Sequence, residues 1–80
     1  MKVFFLYLLI VTNSQVNVIK VPFAYTLRPI TCDEAFYKSV THKIPHTFYK
    51  GKVVGAHYCK DIFGNWYLGY EEQLNYDLGH

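Results

Sequence analysis

Four histidines, five lysines between positions 38 and 60, and two cysteines are the residues of this chain whose chemistry reaches beyond packing. His46 follows Pro45 at the start of a predicted strand, and His57 lies eleven residues on in a predicted neighbour. Imidazoles titrate near neutrality, so two of them facing one phosphate can act as acid and base in RNA cleavage while lysine holds the anion. Composition alone also supplies such pairs, and partly buried or surface rings are the commoner outcome. A metal site from His42, His46, His57 and Cys59 is a weaker alternative: Pro45 spoils a helical i, i+4 pair, and Cys59 is better used in a disulfide. No glycine-rich phosphate loop, serine-centred elbow or paired-carboxylate motif occurs, so no metal and no cofactor are expected.

Charge is unevenly spread along the chain. Lys38, Lys43, Lys50, Lys52 and Lys60 have no acid among them, whereas residues 61–80 carry Asp61, Glu71, Glu72 and Asp77 with no lysine or arginine. The net charge of +2 is too small to mark a nucleic-acid binder, so the distribution must carry any such argument. In one reading Lys50, Lys52 and Lys60 with Tyr49, Tyr58 and Phe48 make a surface that tracks phosphates and stacks bases. In the other they are the solvated face of a hairpin, paired with carboxylates of the tail. The sequence leaves both open.

These residues must be positioned by a small domain, since 80 residues exclude a multi-domain architecture. A composition 51% hydrophobic and 19% aromatic excludes a disordered chain. Met1-Lys2 is followed by an apolar run, Val3 to Val11, in the layout of a secretory signal and too short for a stable membrane span. Thr12 and Ser14 suit the small positions of a cleavage site, which predicts a leader over 1–14 and one secreted domain over 15–80. The alternative is that the run is a buried strand. Export implies an oxidising compartment, and a Cys32–Cys59 bridge would add roughly 3 to 4 kcal/mol to a domain with a meagre core. No Asn-x-Ser/Thr sequon occurs, so no N-glycan is expected.

Residues 15–30 alternate apolar and polar, which predicts a strand that Pro22 confines to an edge or a bend. Thr31 and Glu34 have the spacing of a capping box, so a helix starts here and must end by about Ile44, ahead of Pro45. Cys32, Phe36 and Val40 share one of its faces. Strands are predicted over 47–49 and 53–63. Gly64-Asn65 predicts a tight hairpin into Trp66–Tyr70, and Leu74, Tyr76 and Leu78 allow one more strand. The fold class is therefore α+β: one short helix packed on a small antiparallel sheet, with a single disulfide.

A cysteine just ahead of one helix, followed by Ile44-Pro45-His46-Thr47-Phe48-Tyr49 opening a sheet, resembles the fungal guanyl-specific ribonucleases and the ribonuclease-like secreted effectors of plant-pathogenic fungi. The likeness covers about residues 25–70, and its sharp element is Pro45-His46 with aromatics behind it. In those enzymes this histidine works on the 2′-hydroxyl, and of the family's catalytic set only His46 carries over. No arginine follows Arg28, and Asp61, Glu71 and Glu72 are not placed like the family's glutamate base. The resemblance thus implies an effector-like protein associated with virulence, its scaffold catalytically inactive, that binds a host protein or RNA. An active secreted ribonuclease using His46 and His57, and a disulfide-stabilised toxin, are the alternatives. The oligomeric state is left open.

Overall fold

The computed structural model describes residues 1–79. The elements run β1 (Lys2–Thr12), β2 (Gln15–Tyr25), α1 (Cys32–Ser39), β3 (Thr41–Lys43), β4 (His46–Tyr49), β5 (Lys52–Asp61) and α2 (Tyr70–Leu78). The strands form one antiparallel sheet in the order β2-β1-β5-β4-β3. This is the expected α+β class, with a second short helix added.

Residues 2–12, for which the sequence suggests a leader with a buried strand as the alternative, form an interior strand of the sheet, between β2 and β5. β1 pairs with β2 along its whole length, from Lys2 opposite Tyr25 to Thr12 opposite Gln15, and with β5 on its other side from Phe4 to Ile10. Phe4, Leu6, Leu8 and Ile10 are at most 1% exposed and make up half of the buried apolar core. A period of two projects them to one face, where Cys32, Ala35, Cys59 and Tyr67 close over them. Phe4 anchors this layer, its ring 4.2 Å from that of Tyr67 and stacked at 5.6 Å on Phe23. Cleavage after Ser14 and this fold are mutually exclusive uses of the same residues.

β2 is the edge strand that Pro22 requires. The helix begins where the capping box places it, with the Glu34 amide donating to Thr31 Oγ1 at 3.1 Å. Only half of the box forms, because the Glu34 carboxylate turns to Arg28 and Lys38 instead of the Thr31 amide. α1 stops at Ser39, earlier than the limit set by Pro45, because Thr41–Lys43 pair with β4. The disulfide joins Cys32 at the first helical position to Cys59 in β5, with Cα atoms 5.8 Å apart.

The carboxy-terminal quarter departs from expectation. Gly64-Asn65 does reverse the chain, with Gly64 at φ 84° and the Asp61 amide donating to the Asn65 carbonyl, but pairing stops at one bridge between Lys60 and Trp66. Leu74, Tyr76 and Leu78, which the sequence allows as one more strand, lie instead in α2. Gly69, at φ 88°, starts that helix against α1; a Cβ there would sit 2.7 Å from the Thr31 Cα.

Candidate functional site

The sheet has two unlike faces. α1 packs on one, through the disulfide and through Phe36, whose ring lies flat on His57 at 3.8 Å. The first turn of α2 is tied to the same side, with Glu72 accepting from Lys2 and from Tyr25, and the Tyr70 hydroxyl donating to Asp33. The opposite face is that of Phe5, Tyr7 and Leu9 of β1, which alternate with the buried core positions. By register it also carries Lys20 and Val18 of β2 and Ala56, Tyr58 and Lys60 of β5. Neither helix covers it.

The covered face spends its polar groups on itself. Burial pushes the Glu72 carboxyl up, but hydrogen bonds from Lys2, Tyr25 and Tyr67 outweigh burial and hold it below the ordinary carboxylate range. The reciprocal bond to Glu72 raises Lys2. Burial, followed by its bond to Tyr25, pushes the Tyr67 hydroxyl far up; it therefore stays protonated and donates to the Ile30 carbonyl. A cavity of about 230 Å³ at this end is bordered by Asp61, Glu71 and Glu72, and its one cation, Lys2, is already bonded to Glu72. An anion finds no free donor cation there.

The open face is aromatic and cationic. Tyr7 and Tyr58, cross-strand partners, stack at 4.8 Å, and Trp66 meets Tyr58 edge-on at 5.3 Å. Lys20 Nζ lies 4.1 Å from the Phe5 ring centre, and Lys60 Nζ lies 4.9 Å from that of Trp66 and 5.9 Å from that of Tyr58. Such ammonium–ring contacts hold the lysine stems flat on the aromatic surface while the charge stays in water. Farther along, Lys43, His46 and Phe48 of β3 and β4 continue this side. Among the strands the sole carboxylate is Asp61, occupied by the Phe63 and Asn65 amides of its own turn; five of the six acidic residues stand on the helices.

The residues singled out in the sequence fall in three places. His46 is exposed at the start of β4 on the open side, whereas His57 is on the covered side between Phe36 and Asp33, its Nε2 3.6 Å from Oδ1 of Asp33. The sheet therefore separates the two imidazoles. Tyr49 packs toward the core with Lys52 opposite it, and Lys50 in the adjoining turn reaches over the Tyr49 ring at 5.4 Å. Tyr58 and Lys60 alone of that set belong to the aromatic row. Phe5, Tyr7, Lys20 and Trp66, which complete it, carry no signal of that role in the sequence: the first two stand in the apparent leader, and Trp66 in a strand that does not form. Among the described residues no three histidine, cysteine or carboxylate side chains gather as metal ligands.

Fold and site together define the class: a disulfide-linked α+β protein with one armoured sheet face and one bare aromatic face. No family model, no curated protein and no solved structure matches the chain.

Proposed function

We propose that this chain is a non-hydrolytic RNA-binding protein that uses the open face of its sheet, in keeping with the effector-like scaffold that the sequence resembles. One observation carries the reading: by register the open face holds Lys20, Lys43 and Lys60 with no carboxylate among them, whereas Lys2, Arg28 and Lys38 lie beside the helix carboxylates and are bonded to them. A polyanion is attracted to the open side, where no carboxylate opposes the lysines. The disulfide supports residence in an oxidising compartment. Cleavage by a His46–His57 pair loses its support, because two rings on opposite faces cannot share one phosphate.

The test is incubation of the oxidised full chain with labelled RNA, read by both anisotropy and gel. Binding without shortening of the RNA is expected, with no shortening in wild type or in the His46→Ala and His57→Ala variants, and with binding unchanged in His57→Ala. Cleavage that disappears in His46→Ala overturns the proposal in favour of a ribonuclease, and failure to bind any RNA overturns it outright.

A further inference from the structure

Resting on that reading, we infer that the open face takes single-stranded nucleic acid by stacking its bases on the Tyr7–Tyr58–Trp66 row, with Lys20 and Lys60 meeting the phosphates on either side. β1 supplies Phe5 and Tyr7, β5 supplies Tyr58, and the bridge at Lys60 holds Trp66 beside it. Trp66 is 71% exposed. A row of rings offers every base a π-face and no array of donors and acceptors, so recognition is tolerant of sequence. Bases already stacked and paired inside a duplex cannot reach these rings, whereas unpaired bases can be splayed onto them.

Lysine placement sets the path and the footprint. Lys20 and Lys60 belong to β2 and β5, the two neighbours of β1, so they flank the central rings from both sides. A strand laid across the row keeps its bases over Tyr7, Tyr58 and Trp66 and its phosphates at the lysines. Sheet platforms of this kind seat about two or three bases. Stacking on rings does not involve the sugar, so RNA and DNA single strands should bind alike. Lys50 and Lys52, by contrast, lie beyond this row, about Tyr49 on the covered side.

Trp66 is the chain's one tryptophan, so its emission reports the row directly. Titration of the oxidised full chain with octamers of adenylate, uridylate and thymidylate should quench that emission in step with the anisotropy of the labelled strand. A blunt duplex of the same length should bind at least tenfold more weakly. Tyr58→Ala should weaken single-strand binding by about tenfold. Lys20→Gln and Lys60→Gln should each lower the slope of log K against log salt by about 0.7, whereas Lys50→Gln should leave it unchanged. A far-ultraviolet spectrum and melt of each variant separates lost binding from lost fold, and Tyr58→Phe, which keeps the ring, should retain binding. Binding without quenching, equal affinity for duplex, or wild-type affinity in folded Tyr58→Ala overturns the stacking inference while RNA binding stands. No anisotropy change with any oligonucleotide overturns both proposals. A blue shift with phosphatidylserine vesicles in place of any response to oligonucleotides also overturns both, and makes the face a lipid-docking one.

Discussion

At the scale of single residues, the Glu72 carboxylate joins the two ends of the chain. It accepts from Lys2 at the start of β1 and from Tyr25 at the end of β2, so α2 is fixed to both strands of the first hairpin through one side chain. The sign of its titration follows from the direction of its shift. Its value is held below the ordinary 4.5. A lowered folded-state value means that the stabilisation is complete above the unfolded value and is lost as pH falls through the folded one. Glu34, lowered by Arg28 and Lys38, adds in the same direction. Melting temperature should therefore fall as pH drops below about 4.5, and Glu72→Gln should flatten that dependence while lowering stability at neutral pH by about 1 to 3 kcal/mol. Lys2 shifts upward, so its share persists to high pH and disappears only as the medium passes its raised folded value.

At the scale of elements, the two helices begin almost in contact, and two constraints hold them there. The Cys32 amide donates to the Leu68 carbonyl at 2.9 Å, and Gly69 crosses the Thr31 backbone with no room for a side chain. Gly69→Ala combines a positive φ with a Cβ driven into Thr31, and should cost about 2 to 4 kcal/mol in urea unfolding at neutral pH. The bridge at the neighbouring residue is expected to contribute roughly 3 to 4 kcal/mol, so reduction should lower the melting midpoint by more than ten degrees. Elements governed by local rules are legible in the sequence alone. The Thr31 cap, the alternating edge strand with Pro22 and the Cys32–Cys59 pairing all rest on short-range patterning or on a count of two cysteines. α2 is not legible: its Leu74, Tyr76 and Leu78 alternate like a strand, and what makes them helical is the attachment of Glu72 and Tyr70 to distant residues. The aromatic row is hidden for a related reason. Tyr58 and Lys60 can be read as outward-pointing, but their partners Tyr7 and Phe5 stand in an unbroken apolar run in which no period shows.

At the scale of the whole molecule, that apolar run decides whether there is a fold at all. A continuous greasy stretch behind a lysine fits a leader, and it equally fits an interior strand apolar on both faces. Here the inner face meets the core and the outer face is the floor of the aromatic platform. Deleting residues 1–14 removes Phe4, Leu6, Leu8 and Ile10 together, strips β2 of its only neighbour and leaves β5 with only β4. Burial of four such side chains contributes about 6 to 12 kcal/mol, which exceeds what the disulfide can restore. The 15–80 chain, refolded with its bridge intact, should therefore show no cooperative melt and no binding of single strands, whereas the full chain melts as one unit. Phe4→Ala, losing about 3 to 5 kcal/mol, should fall between the two. A 15–80 chain that unfolds cooperatively near the full-length midpoint would show that the fold does not need β1, and with it the platform built from Phe5 and Tyr7 would lose its foundation. Intact mass of the natural protein provides the matching observation: the form that binds RNA should retain residues 1–14 and lack two hydrogens.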